Sequence, residues 1–431
     1  MFIKRRIFAL ALLILAPWAA TQAANLPTPS IANSPGVSIH FVRGNTKDLD
    51  MMAAAGVKIV RTDFKWDSIE YIKGRYDWST YDELVTNLSA RGMRPYFILD
   101  YSNSLYETVR VVSQNGVWSS YIESPNDAKS VAAFAAWAKA AALRYQSKNV
   151  IWEIWNEPNI SFWKPTPNVT NYTTLAKATC NAIHGAVPSA AVIGAATSGI
   201  DWNFLSPFLS SGILDCVDGI SVHPYRGQTP DSVSGEYQYL AWLIDQSAPS
   251  NRKGMIPVIN SEWGYATVAG GLPQADQASF LVRSQLVGLL NNIPISIWYD
   301  WKNDGTDPSD YEQNFGMVNA DLTPKPAYQA LKSMTSQLNG YQLMQRVAMP
   351  DPYASVLIFV NSAGKYKLVV WTSASSYPIT LFNGITASAV VPVTDINGVT
   401  NNVAINWAGI TLTLQPSPQY VDLANLPLAA P

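Results

Sequence analysis

Ile151-Trp152-Glu153-Ile154-Trp155-Asn156-Glu157-Pro158-Asn159 is a short apolar run that breaks off in a polar, proline-containing turn. A second stretch of the same design, Ile259-Asn260-Ser261-Glu262-Trp263-Gly264, comes about a hundred residues later. Each reads as a buried strand that ends on a glutamate. Working outward, runs of this kind recur at Val37–Phe41, Ile59–Phe64, Pro95–Tyr101, Val150–Asn156, Ala191–Ala196, Gly219–Tyr225, Pro257–Trp263 and Ile295–Trp301. Several are almost continuously apolar, as expected of parallel strands covered on both faces. Helical patterns separate them. Asp127 is placed to cap Val131–Leu143, Gln274–Leu290 carries apolar residues at helical spacing, and Pro326 opens the way into Ala327–Leu338. Eight strand–helix repeats predict a closed (β/α)8 TIM barrel over residues 24–338. No glycine-rich GxGxxG follows the first strand, so an open dinucleotide-binding sheet has no support.

From about Gly340 the pattern changes to short β runs, Val356–Val360, Tyr366–Trp371, Ile379–Phe382 and Ile410–Leu414, between Asn, Gly, Ser and Pro. This predicts a small antiparallel, sandwich-like β module over 339–431. At the other end, Lys4, Arg5 and Arg6 precede the apolar run Ile7–Ala16 and the small-residue site Thr21-Gln22-Ala23, the layout of a cleavable export signal over 1–23. The run is shorter than the ~20 residues a membrane span needs, so no stable span is expected after cleavage, and the mature chain is expected to be secreted or periplasmic.

Hydrophobic residues make up 48% of the chain and charged ones 14%, with a formal net charge of -2. Such a surface excludes nucleic acid as a partner. The two cysteines, Cys180 and Cys216, leave two readings open, one disulfide or two buried thiols, and neither is assigned metal-ligand spacing to a histidine. With His40, His184 and His223 as the only histidines there is no compact zinc pattern, and no GxSxG elbow appears. No cofactor and no metal are expected, and the chain is expected to be a monomer.

Barrel catalytic groups sit at the C-terminal ends of strands, which selects Glu157 and Glu262. Two carboxyls facing one another across a cleft suit glycosidic bond cleavage, one delivering a proton and the other attacking the anomeric carbon. Glu153 shares the strand parity of Glu157 but is placed about 13 Å deeper, at ~3.3 Å per residue, where a structural role is expected. Trp155-Asn156-Glu157-Pro158-Asn159 resembles the acid/base motif of clan A glycoside hydrolases, and Ser261-Glu262-Trp263-Gly264 their nucleophile motif. Phe162-Trp163-Lys164-Pro165 and His223-Pro224-Tyr225 bring the likeness closer to family 39, which includes β-xylosidases, α-L-iduronidases and exopolysaccharide-cleaving endoglycosidases.

The resemblance implies a retaining hydrolase of a polysaccharide or oligosaccharide, with Glu157 as acid/base and Glu262 as nucleophile. It further implies that Asn156 binds the sugar 2-hydroxyl, that Arg61 keeps Glu262 ionised, and that His223 or Tyr225 hydrogen-bonds near the nucleophile. From the residues themselves, Arg61 has an alternative as an ion pair with Asp63 or Glu70, and His223 as a satisfied core histidine. A neighbouring carboxylate and the low-polarity surface of Trp155, Trp163 and Trp263 are expected to raise the pKa of Glu157. Trp298 and Trp301 are candidate sugar platforms, subject to strand parity. Lys65, Lys164, Arg226 and Lys302 are read as solvated loop residues in preference to a site for acidic sugars, and Asp304, Asp307 and Asp310 as a solvated acidic loop. Endo-cleavage of an exopolysaccharide leads; exo-action of the β-xylosidase type and a non-catalytic carbohydrate-binding protein are the alternatives.

Overall fold

The computed structural model describes residues 26–114, 117–381 and 388–424, so the export-signal reading of residues 1–23 lies outside the described residues. Eight parallel strands close into a barrel: β1 (Pro35–Ser38), β2 (Ile59–Lys65), β3 (Arg94–Asp100), β4 (Ile151–Ile154), β5 (Ala191–Ser198), β6 (Gly219–His223), β7 (Val258–Trp263) and β8 (Ser296–Trp298). Each strand is followed by a helix: α1 (Thr46–Ala54), α2 (Ser79–Ser89), α3 (Ala128–Arg144), α4 (Val169–Ala186), α5 (Trp202–Ser210), α6 (Ser234–Ser247), α7 (Gln274–Leu290) and α8 (Pro326–Gln337). The alternation read from the sequence is therefore the fold, with strand ends shifted by a few residues. Asp127 caps α3 as its position suggests, its Oδ1 accepting from the backbone N–H groups of Lys129 and Ser130 at 2.8 Å.

Strand parity sorts the barrel interior into layers. Ile59, Ile151, Ile193, Ile259 and Ile297 point inward and form an aliphatic floor with Leu26 and Tyr96. Two residues further along their strands, Arg61 and Glu153 replace the aliphatic layer by an ionic one. Outside the strands a larger apolar cluster fills the space beneath the helices, with Trp66, Trp137, Trp152 and Trp155 among its largest members. Two bulges interrupt the ladder. Four residues of β7 (Asn260 to Trp263) lie opposite three of β8 (Ser296 to Trp298), and four of β5 (Gly194 to Thr197) opposite three of β6 (Ile220 to Val222).

One insertion escaped the sequence reading. Strands Val109–Gln114 and Val117–Ile122 pair as an antiparallel hairpin after β3. Its alternation is apolar on exposed positions, with Val111, Val117 and Trp118 all largely in solvent, so the pattern gives no amphipathic face to recognise.

After α8 the chain builds one eight-stranded antiparallel sheet rather than two facing sheets. Its strands are β9 (Tyr341–Arg346), β10 (Ala354–Asn361), β11 (Tyr366–Thr372), β12 (Tyr377–Leu381), β13 (Ala389–Thr394), β14 (Thr400–Asn406), β15 (Gly409–Leu414) and β16 (Gln419–Asp422). Their order is β9-β10-β11-β16-β13-β14-β15-β12, and the sheet curls so that Val356, Leu368, Val391 and Leu412 share a core. Phe382, included in the sequence reading of one strand, lies outside the described residues. The alternate face of β10 and β11, Leu357, Phe359, Val369 and Trp371, belongs to the barrel's own apolar cluster. The contact is also polar: Trp371 Nε1 donates to Asp231 Oδ1 at 2.8 Å, while Asp231 Oδ2 accepts from Arg283 Nε at 2.9 Å. Among the described residues no helix is long and apolar enough to cross a membrane.

Cys180 on α4 and Cys216, just before β6, form a disulfide with Cα atoms 6.1 Å apart. His184, one turn after Cys180 on the same helix face, brings Nδ1 to 4.0 and 3.8 Å from the two sulfurs. This i,i+4 spacing corrects the reading that neither cysteine is in ligand spacing to a histidine. The disulfide engages both thiols, and His184 Nε2 faces Ala190 O and Asp218 Oδ2 at 3.1 and 3.2 Å. Closing a loop of this length restricts the unfolded chain by about 4 kcal/mol in the chain-entropy model. The double variant Cys180→Ser/Cys216→Ser is therefore expected to lose about that much stability in urea denaturation. A loss under about 1 kcal/mol would refute the loop-closure account.

Candidate functional site

Arg61 is the third residue of β2 and its guanidinium lies inside the barrel, 2% exposed. Nε and Nη2 meet Glu153 Oε2 at 2.9 and 2.8 Å, and Nη1 donates to Glu262 Oε2 at 2.6 Å. Nη2 also donates to Asn156 Oδ1 at 2.8 Å and approaches His223 Nε2 at 3.3 Å. Burial opposes its charge, but Glu153 and Glu262 outweigh burial and raise its pKa, so it stays a cation. Neither Asp63 nor Glu70 is its partner: Asp63 sits 3.7 Å from Lys65, and Glu70 accepts from Trp66, Tyr106 and the Gly74 amide.

Glu153 does more than sit on the floor. Its Oε1 accepts from Tyr96 Oη at 2.9 Å and its Oε2 carries one side of Arg61, whose other side holds Glu262. It is wholly buried and cannot touch a substrate, yet one guanidinium separates it from a mouth carboxylate. The depth estimated from an extended strand fails because β4 stops at Ile154. Trp155 and Glu157 then take left-handed φ values of 67° and 45°, which fold the motif back over the barrel. Such values cost a non-glycine residue of order 1–3 kcal/mol each and persist only when the surroundings hold them. Here Trp155 N donates to Leu99 O at 3.1 Å, Glu157 N donates to Ala196 O at 2.9 Å, and the Trp155 ring is buried. Ala196 lies inside the β5 bulge, so the bulge positions the acceptor that orients Glu157.

Glu262 needs the other bulge. Ile259 and Ser261 are interior residues, and strict alternation would send Glu262 outward. The extra residue in β7 shifts the parity, and Glu262 reaches Arg61 and Tyr225, whose hydroxyl donates to Oε1 at 2.8 Å. Gly264 allows the closeness of β7 to the chain after β8: a Cβ there would stand 1.7 Å from Tyr299 O. Burial and the Glu262 charge push the Tyr225 pKa well up, which keeps its hydroxyl a donor.

His223 ends β6 and lies between the two glutamates. Arginine can only donate, so His223 Nε2 is the acceptor facing Arg61, which assigns the proton to Nδ1. Nδ1 therefore donates to Glu157 Oε1 at 2.9 Å. One oxygen each of Glu157 and Glu262, together with an imidazole nitrogen of His223, lie within 4.8 Å of one another. Burial raises the Glu157 pKa, but the hydrogen bond from His223, with Ser198 and Arg61, outweighs it and leaves the carboxyl below its usual range. This corrects the expectation of a raised value: sequence revealed the neighbouring carboxylate and the tryptophans but not the imidazole donor.

The aromatic candidates divide. Trp163 is 1% exposed and packs on Trp155 and Tyr172, so it supports the motif from behind instead of meeting sugar. Trp301 is equally buried, against Tyr328, with its indole N–H on Asp48 at 2.9 Å; it is no platform. Trp263 and Trp298 are 1% and 2% exposed and flank Tyr265, and the Arg226 guanidinium sits 5.7 Å over the Trp263 ring. The accessible rings at the mouth are ones the sequence reading passed over. Tyr299 follows β8 and faces His40 at 5.4 Å; Tyr101 follows β3, binds Asn156 Nδ2 through its hydroxyl at 3.2 Å and stacks on exposed Phe162 at 5.8 Å. Their signal was position after a strand end, which tryptophan counts concealed.

The cations are mostly engaged: Lys65 with Asp63, Arg226 with Glu236 at 2.7 Å and Lys302 with Asp48 at 3.2 Å, while Lys164 lies 6.0 Å from the Tyr121 ring. Asp307 and Asp310 fold their own loop, accepting from Ser309 and Glu312 backbone N–H groups at 2.9 Å. Asp304 is exposed, as the solvated reading expects, and in addition pairs with His40, whose Nδ1 lies 2.8 Å from its Oδ1 and 3.9 Å from buried Asp300.

In architecture the chain is similar to a family 39 glycoside hydrolase from the gut symbiont Bacteroides cellulosilyticus WH2, with a TM-score of 0.78 and 24% identity over 92% of this chain and 81% of that one. A family 39 β-xylosidase from Caulobacter crescentus gives a TM-score of 0.65 at 15% identity, over 93% and 97% of the two chains. A family 30 subfamily 8 xylanase from Clostridium acetobutylicum gives 0.62 at 16% identity, over 93% and 98%. At these identities the likeness is one of fold. No curated protein matches the chain in sequence. The family model that matches is not that of family 39: residues 22–305 match cellulase (glycosyl hydrolase family 5), and the chain belongs to that family of clan A glycosidases.

Proposed function

We propose that the protein hydrolyses a polysaccharide with retention of configuration, Glu157 serving as acid/base and Glu262 as nucleophile. The observation that carries this reading is the proximity of the two carboxylates, with oxygens within 4.8 Å, each fixed by a different donor. Retaining enzymes hold the pair about 5–5.5 Å apart and inverting ones roughly 6.5–9.5 Å, to leave room for water. Glu262 is bound and aimed by Arg61 and Tyr225. It attacks the anomeric carbon while Glu157 gives its proton to the leaving oxygen, so the C–O bond breaks without releasing an alkoxide. Glu157, now a carboxylate, takes a proton from water, whose oxygen displaces Glu262. Asn156, oriented by Arg61 and Tyr101, is placed to bind the 2-hydroxyl.

The low resting pKa of Glu157 suits the base step. For the acid step, a bound sugar displaces water and burial then favours the proton. Endo-action on an exopolysaccharide is the finer proposal, supported by the aromatic rings that follow the strand ends near the two glutamates, Tyr101, Phe162 and Tyr299. Exo-action is the second reading, favoured by the β-xylosidase among the fold relatives. The disulfide and the basic and apolar residues at the N-terminus support a secreted or periplasmic protein, and one fold relative is described as a monomeric β-xylosidase, in line with a monomer.

An NMR time course of the first product anomer tests retention, and sizing of early products tests endo-action. Inverted anomer first would refute the mechanism, and monosaccharide alone from the earliest times would refute the endo mode. Glu157→Ala should slow cleavage of sugar leaving groups roughly 10²–10⁴-fold but spare good aryl leaving groups, with azide restoring turnover to a retained product. Glu262→Ala should gain nothing from a better leaving group and give an inverted glycosyl azide. Exchange of these two patterns would mean exchanged roles. His223→Phe removes the main group that lowers the Glu157 pKa and leaves burial in force. The protonated acid then persists to higher pH, so the alkaline limb of kcat/KM should move upward. A limb that stays or moves down would show that His223 does not set it.

A further inference from the structure

Helix α6 carries an aromatic surface on the wrong side. Tyr237, Leu240 and Ile244 are its buried stripe, spaced as an amphipathic helix requires. Tyr239 and Trp242, three residues apart on the opposite face, should then be polar. They are instead 50% and 53% exposed, with rings nearly parallel at 23° and centroids 5.5 Å apart. Trp202, the first residue of α5, meets Tyr239 edge-on at 4.9 Å and 75°. A contiguous, half-exposed group of this kind on a folded surface marks a contact site.

Its surroundings narrow the occupant. Helix α6 contains no lysine or arginine. Its two acids are engaged, Glu236 with Arg226 at 2.7 Å and Asp245 with the Gly254 N–H at 2.9 Å. Gly235, Gln238, Ala241 and Gln246 are the other exposed residues of the helix. Anionic membranes and nucleic acids are held by cations, which this face lacks. Flat rings for the C–H faces of sugars, with amides for their hydroxyls, match an uncharged stretch of glycan.

The group is also continuous with the mouth of the barrel. Asp201 caps α5, and its Oδ2 accepts from Asn159 Nδ2 at 3.1 Å. Asn159 follows Glu157 by two residues, and its Oδ1 accepts from Ser198 N at 2.9 Å. Trp202 thus stands one residue beyond a group hydrogen-bonded to the loop of the acid/base, and Tyr239 and Trp242 extend from it along the outside of the barrel.

We infer that Trp202, Tyr239 and Trp242 form a second glycan-binding surface, a track that holds polysaccharide leaving the cleft. The inference rests on the reading of the protein as a polysaccharide hydrolase, and the experiment separates the two. Native gels containing xylan, mixed-linkage β-glucan or galactomannan measure retardation of the full chain, of Tyr239→Ala/Trp242→Ala and of Trp242→Phe, while aryl glycosides measure catalysis. The wild type should be retarded in at least one gel. The double variant should bind that polymer about tenfold or more weakly, with aryl glycoside turnover within about twofold of wild type, and Trp242→Phe should retain most of the binding. Equal mobility of wild type and double variant in every gel, whether both are retarded or neither is, overturns the track. A mobility difference without hydrolysis of any substrate upholds the track and overturns the catalytic reading instead.

Discussion

A single buried cation organises this molecule. The Arg61 guanidinium replaces an aliphatic layer inside the barrel, and taking such a charge out of water costs several kcal/mol unless its partners are well placed. Glu153 and Glu262 meet that demand electrostatically, and Nη2 also faces Asn156 and His223. Removing any one leaves a buried charge or polar group without a partner, so the site is constrained by folding as well as by catalysis. The planar fork presents donors in several directions at once, a geometry that the point charge of a lysine cannot supply.

The cation also distinguishes the two mouth carboxylates. Glu262 is bound directly by the guanidinium, whereas Glu157 is reached through His223, whose tautomer Arg61 dictates. One glutamate is thereby paired directly with a charge. The other is held by an imidazole N–H, which a change in its surroundings can outbid more readily. Similar side chains acquire different partners from their surroundings, and division of labour follows from environment.

What was legible in the sequence follows from periodicity. Strand–helix alternation exposed the barrel, and the ends of β4 and β7 exposed Glu157 and Glu262, because both signals are local in the chain. The β module after α8 was visible as short runs, though not that its strands join one curled sheet, since pairing order depends on distant partners. Errors arose where regular geometry breaks. Trp155 and Glu157 adopt backbone angles that an extended strand forbids, so Glu153 seemed remote from the site it supports. The bulges in β5 and β7 undo parity, which alone cannot deliver Glu262 to the mouth. The tryptophans misled for another reason. Trp163 follows the Glu157 loop and Trp301 follows β8, yet indoles this large are also the best filler between barrel and helices.

The link from Trp371 to Asp231 gives the C-terminal sheet a bearing on the catalytic half. Asp231 belongs to the short turn between Tyr225 and α6, and it neutralises Arg283, an almost wholly buried cation of α7. The sheet is therefore no detachable appendage. A chain trimmed after α8 would strip the indole donor from Asp231 and expose the apolar ground beneath Leu357, Phe359 and Val369. For protein engineers, the smallest self-sufficient unit of this hydrolase is the barrel with its sheet, and grafting the barrel alone would require resurfacing α7 and α8.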